Sequence, residues 1–140
     1  MPHLTRTFKI IARDFTRAGE VSVQVRSILK NIGFDSSLIR RIALCAYEAE
    51  MNVVMHGGEG ILDLSVDPEE IRLVVSDDGP GIENIELALQ EGYSTATPEH
   101  REMGFGAGMG LPNIKKSADH FEMRSEAGKE THLEIVFKVG

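Results

Sequence analysis

Ile61-Leu-Asp-Leu-Ser-Val66-Asp67-Pro68-Glu-Glu-Ile71-Arg-Leu-Val-Val-Ser76-Asp77-Asp78-Gly79-Pro80-Gly81 is the stretch on which the fold turns. It predicts two short strands, Ile61 to Val66 and Ile71 to Ser76, joined at the turn residues Asp67-Pro68. Directly after the second strand, Asp77 to Gly81 holds two turn dipeptides, Asp78-Gly79 and Pro80-Gly81.

On the N-terminal side, residues 4 to 13 alternate, with Phe8, Ile10 and Ala12 against Lys9, Ile11 and Arg13, which suits a strand. Val21, Val25, Ile28, Leu29 and Ile32 then mark an amphipathic helix stopped by Gly33. Asp35 reads as the N-cap of a second helix, which carries Leu38, Ile42, Cys45, Ala49 and Val53 inward and ends at Gly57-Gly58. On the C-terminal side, a short helix is expected near Ile85 to Gln90. Residues 92 to 110 are polar and glycine-rich, too long for a structureless connection unless they have a task. A helix from about Leu111 to Asp119 tolerates Pro112 in its first turn. Strands from Phe121 to Ser125 and from Leu133 to Val139 close the chain. No βαβ unit repeats, so the expected class is α+β, a two-layer sandwich forming one domain over residues 1–140.

Composition narrows the roles. The chain has 140 residues, of which 41% are apolar and 26% charged, ordinary values for a soluble globular protein. Twenty-two acids against 15 bases leave a net charge of −7, which argues against a nucleic-acid partner. No apolar run is long enough for a membrane span, and the N-terminal residues lack a signal peptide's apolar core. A single cysteine, Cys45, at a core position, fits a cytoplasmic protein and an inert thiol.

Three constellations carry chemistry. Glu48, Asn52 and His56 recur every four residues and share one stripe of the second helix, beside the apolar face of Ala49 and Val53. Glu50 lies about 200° around the axis from Glu48, away from that stripe. Asp77 at a strand end, followed by Gly79, Gly81 and Ile82, offers a carboxylate to an exocyclic amine such as adenine's, with backbone bare enough for a flat ring. Gly104, Gly106, Gly108 and Gly110 alternate immediately before a helix, which aims bare N–H groups and a helix dipole at a phosphate. Neither the dinucleotide-binding nor the P-loop spacing is present. Taken singly, a solvated stripe, a tight turn and a flexible lid would account for the same residues. Their order along the chain is the stronger signal.

That ordered set resembles the Bergerat-type ATP-binding superfamily of gyrase, histidine kinases and the mismatch-repair and heat-shock ATPases. Glu48-Ala-Glu-Met-Asn52 is similar to its N box, Asp77 to Gly81 to its first glycine box, and Gly106 to Gly110 to its second. At this length the closest resemblance is to the small anti-sigma-factor serine kinases and the switch kinases of bacterial partner-switching systems. Glu91 to Ser94, Gly110 to Lys116 and Asp119 to Glu122 are similar to the switch-kinase branch, whereas Thr97 to Arg101 is more like the anti-sigma lid. The resemblance implies a mostly antiparallel mixed sheet with helices on one face, and an ATP lid at about residues 92–110. It implies Glu48 as general base and Asn52 as the single protein ligand to Mg²⁺. It implies an ATP site of Asn52, Asp77, Gly79, Gly81, Ile82, Arg101, Gly104, Gly106, Gly108, Gly110, Leu111 and Thr131. At Thr131 the sequence departs from the pattern, with Glu130 where a glycine is usual.

The activity so implied is a protein serine/threonine kinase acting on a small antagonist protein of the anti-anti-sigma type, with a sigma factor as a further partner and a homodimer formed through the first strand and helix. A nucleotide-gated binding module with little or no catalysis is the alternative, and an ATP hydrolase of a larger complex a third. His56 reads as a packed or capping residue, and Lys115 and Lys116 as a solvent-facing pair.

Overall fold

In the strands on either side of Asp67-Pro68, every second side chain is buried: Leu62, Leu64 and Val66 in one, Ile71, Leu73 and Val75 in the other. That alternation gives each strand one face for a core and one for water. The structure, a computed structural model, describes residues 3–56, 59–78, 110–125 and 130–139. Its elements run β1 (Leu4–Ile10), α1 (Glu20–Ile32), α2 (Ser36–His56), β2 (Gly60–Val66), β3 (Glu70–Asp77), α3 (Gly110–Ser117), β4 (His120–Ser125) and β5 (Thr131–Lys138). The strands form one sheet in the order β1-β2-β3-β5-β4, and every described pairing is antiparallel. The helices cover one face, giving the expected two-layer α+β sandwich. The expected helix at 85–90 and most of the expected lid lie outside the described residues. No helix among those described is long and apolar enough to cross a membrane.

Local signals set most element ends. Asp35 caps α2 by accepting from the Ser37 and Leu38 N–H groups at 3.0 and 3.3 Å. Gly33 ends α1 at φ 103°, in the left-handed region, and its N–H reaches the carbonyls of Leu29 and Lys30. Asp67 closes the β2–β3 turn by accepting from the N–H groups of Glu69 and Glu70, both at 2.8 Å. Those bonds hold its carboxyl below the usual range.

The first strand is shorter than its alternation suggests. It stops at Ile10, the residue paired with Gly60, where β2 begins. Arg13 then takes φ 68° while its N–H bonds to the Val54 carbonyl at 2.9 Å, which turns the chain across α2. A period-two pattern cannot continue as a strand where the partner strand ends. The helix expected over 111–119 likewise ends at Ser117. There the guanidinium of Arg41 takes the Ser117 carbonyl at 3.0 and 2.8 Å, while the Asp119 N–H already joins the sheet edge at Val136.

Helix α1 begins without a capping side chain of its own, because its N-cap is Gly19. Glu50 of α2 supplies the missing acceptor. Its Oε2 accepts from the N–H groups of Gly19 at 3.0 Å and Val21 at 3.3 Å, and its Oε1 accepts from Ser22 at 3.0 Å. The side chain is 2% exposed, so burial pushes its carboxyl up while the three N–H donors and the positive end of α1 pull it back. Glu50→Ala is expected to cost about 1–3 kcal/mol, because the buried N–H groups lose their acceptor. Urea unfolding tests this, and an unchanged midpoint would refute it.

Candidate functional site

The inward series of β3 does not end in an apolar residue. Ile71, Leu73 and Val75 are followed at the same period by Asp77, and Leu133, Ile135 and Phe137 of β5 are preceded by Thr131. Both polar residues therefore lie on the helix-covered face, and both are buried, at 6% and 4% exposure. The register pairs them directly, Asp77 opposite Thr131. On Asp77's other side the partner is Gly60, where an added Cβ would come within 2.7 Å of a Val53 methyl and 3.2 Å of the Ser76 carbonyl. The missing side chain at Gly60 lets α2 press Val53 onto the end of the sheet, next to Asp77. One end of the sheet thus presents a carboxylate and a hydroxyl side by side beneath the turn of α2 that carries Asn52.

The other wall is α3, which runs antiparallel to α2. Arg41 holds Ser117, the Cys45 thiol lies 4.0 Å from the Ile114 carbonyl, and Asn113 lies beside Glu48. As residue numbers rise on α2 they fall on α3, so the next turn of α2, with Asn52, comes level with the first residues of α3. An α-helix begins with N–H groups that lack intrahelical partners and with the positive end of its dipole, a natural seat for an anion. Glu48 and Asn52 are both half-buried on the stripe expected of them. Burial pushes the Glu48 carboxyl up, and the Asn113 amide opposes that shift.

Several expected site residues are thus placed. Glu48 and Asn52 lie on α2, Asp77 and Thr131 pair across β3 and β5, Gly110 opens α3, and Leu111 is buried in the core. Gly79, Gly81, Ile82, Arg101, Gly104, Gly106 and Gly108 lie outside the described residues, as does the side chain of His56. Lys115 and Lys116 are exposed, as expected. Cys45 is fully buried with its thiol pushed up to about 12, which leaves it unreactive. Asn113 was not apparent from sequence, because an asparagine in a helix has no local mark of its target. Elsewhere, His120, Glu122 and Glu134 cluster on the solvent face of β4 and β5. Their partners lie on the surface: His120 is 3.2 Å from Glu122, and Glu134 pairs with Arg72 at 3.9 Å.

The residues gathered here offer donor types that fit Mg²⁺-ATP: a buried carboxylate and hydroxyl for a purine edge, a side-chain amide for a hard cation, and a helix N-terminus for phosphate. Residues 11–137 match the histidine kinase-like ATPase domain family, and the chain belongs to it. Its relatives are small bacterial regulators. The serine/threonine-protein kinase RsbT of Bacillus subtilis is 27% identical over 79% of this chain and 80% of its own. An anti-sigma F factor of a Thermoanaerobacter species is 33% identical over 73% and 71%, and that of Clostridium kluyveri is 37% identical over 61% of each. Among solved structures, a chain of the SiaB–SiaC complex from Pseudomonas aeruginosa shares the fold. It aligns with a TM-score of 0.61 over 94% of this chain and 88% of its own, at 11% identity.

Glu48 makes a stability prediction with a definite sign. Its carboxyl is raised on folding, so between the ordinary carboxylate range and that raised value the folded state holds more proton than the unfolded one. Stability is therefore lost as pH rises through this window. Glu48→Gln removes that slope. The variant is expected to match the wild type in acid and to become the more stable of the two as pH climbs to neutrality. Paired thermal melts across pH test this, and a glutamine variant less stable at pH 7 than at acid pH, relative to wild type, would refute it.

Proposed function

We propose that this chain is an ATP- and Mg²⁺-dependent protein serine/threonine kinase of a bacterial partner-switching system, phosphorylating a small antagonist protein. Glu48 carries the reading. It is a half-buried carboxylate one helical turn before Asn52, on the side of α2 next to α3. A site that only bound nucleotide would have no need of a carboxylate kept there against the desolvation that burial imposes. The names of the relatives, a serine/threonine-protein kinase and anti-sigma factors, support the same reading.

In this proposal Asp77 accepts a hydrogen bond from the adenine amine, and Thr131 supports that edge of the ring. Gly79, Gly81 and Ile82 line the ring, while Gly104 to Gly110, Leu111 and Arg101 surround the phosphates. Asn52 holds the Mg²⁺, whose role when bound is to neutralise charge on the phosphates. Glu48 orients the acceptor hydroxyl and takes its proton as the new oxygen–phosphorus bond forms and the bond from the γ-phosphorus to the leaving ADP oxygen breaks. Phosphoryl transfer depends mostly on such positioning and charge stabilisation. Residues 92–110 serve as the lid. The protein partner is an antagonist that presents a serine or threonine, with a sigma factor as a second partner. The edge strand β1 and the adjoining groove of about 320 Å³, where Lys9 and Arg17 alternate with Asp14 and Glu20, are the surface offered to a second copy of the chain.

The test is to incubate the protein with each candidate antagonist of its own genome and follow transfer of labelled γ-phosphate from Mg²⁺-ATP. Glu48→Ala is expected to keep ATP affinity and lose transfer by a factor of about 10²–10⁴. Loss of neither, with partner binding intact, would favour a nucleotide-gated binding module. By calorimetry, Asn52→Ala is expected to abolish the Mg²⁺ dependence of nucleotide affinity and Asp77→Asn to weaken the preference for adenine. Wild-type affinities in both variants would overturn the site assignment.

A further inference from the structure

We propose that His120, Glu122 and Glu134 form a site for a divalent transition-metal ion of the zinc type, on the face of the sheet opposite the helices. The site is separate from the nucleotide cleft, and its case is independent of the kinase reading. It begins with an unfavourable feature of the register. Glu122 of the edge strand β4 stands directly opposite Glu134 of β5, and like charges so placed destabilise a strand pair. Arg72 of β3 offsets this in part, lying 3.9 Å from Glu134 but closer, at 3.1 Å, to Glu70. His120 precedes Glu122 by two residues and so shares its face. Its Nε2 is 3.2 Å from Oε1 of Glu122.

One ligand atom from each of the three side chains lies within 4.8 Å of the other two. Tetrahedral zinc with bonds near 2.1 Å sets its ligand atoms about 3.4 Å apart. His120 and Glu122 already stand at that spacing, and Glu134 reaches it by a small rotation of its side chain. All three come from paired strands, whose ladder fixes the backbone spacing more firmly than a loop would. Val136, flanked in the register by His120 and Arg72, is 7% exposed although it faces outward. The side chains around it therefore close over the sheet and do not spread into water. An imidazole with two carboxylates is a borderline ligand set, suited to Zn²⁺ and its neighbours in the first transition row, whereas Mg²⁺ and Ca²⁺ favour oxygen ligands. Three protein ligands leave a fourth position for water. On binding, Glu134 leaves Arg72, which keeps Glu70 as its partner. The ion converts two opposed carboxylates into a cross-link between the edge strand and β5, just beyond the end of α3 at Ser117.

The test is calorimetric titration of the full chain with ZnCl₂, in the absence of nucleotide and Mg²⁺. His120→Ala and Glu134→Gln are each expected to weaken zinc binding by about tenfold or more, at least what the loss of an outer-shell partner costs a metal site. Arg72→Gln is expected to tighten it, because a competing cation is removed from Glu134. His132→Ala alters another histidine on the same face, outside the cluster, and is expected to leave the affinity within about twofold of wild type, since it is no ligand. With Co²⁺ in place of zinc, paramagnetic broadening of backbone NMR signals is expected to centre on β4 and the facing part of β5, which locates the ion in the unaltered chain. A wild-type protein that takes up no zinc overturns the proposal. So does binding that survives both ligand substitutions, binding lost with His132 instead, binding weakened by Arg72→Gln, or broadening centred elsewhere.

Discussion

Two glutamates on α2, Glu48 and Glu50, set the rotation of that helix, and the rest of the arrangement depends on it. They point to opposite flanks because successive helical residues turn by about 100°. Glu50 faces α1 and closes its bare N-terminus through three N–H donors, while Glu48 faces α3 and meets Asn113. Between them Ala49 and Val53 press on the sheet. A helix gripped on both flanks and beneath cannot roll, which fixes where Asn52 stands. The two carboxylates also differ in surroundings. Glu50 is spent on structure, where its charge answers a helix dipole, and Glu48 stays half-buried on the other flank.

The sheet contributes the second constraint. Buried polar side chains are costly unless partnered, yet the inward rows of β3 and β5 both end in one, Asp77 and Thr131, at the same end of the sheet. Gly60 completes that row and gives up its side chain so that α2 can approach. A carboxylate, a hydroxyl and an absent side chain across three neighbouring strands form a polar floor beneath the helix layer. Membership of the histidine kinase-like ATPase domain family gives this floor a meaning that packing alone would not require. The shared fold with a chain of the SiaB–SiaC complex adds to the architecture and, at 11% identity, to nothing finer.

Much of this could be read along the chain. Gly33, Asp35 and Asp67 act on backbone groups within four residues of themselves, so caps and turns were legible where they fell. Periods of two and 3.6 residues report which face is buried and therefore gave the strands and helices and their two layers. The overreach in β1 has the same origin, since alternation says nothing about where the partner strand stops. The order of the polar residues, Glu48 and Asn52, then Asp77, then the alternating glycines, was enough to suggest a nucleotide site.

What the sequence by itself determined is local: element order, most boundaries, the stripe on α2 and the strand-end carboxylate. Only the tertiary structure decided that Asp77 stands opposite Thr131, that Glu50 serves a helix about thirty residues before it (separations of 28 to 31), that Arg41 closes one 76 residues after it, and that Asn113 comes to lie beside Glu48. Each of these depends on strand register or on helix rotation. Both are set by how whole faces pack together, a property of the assembled layers and not of any segment's own pattern.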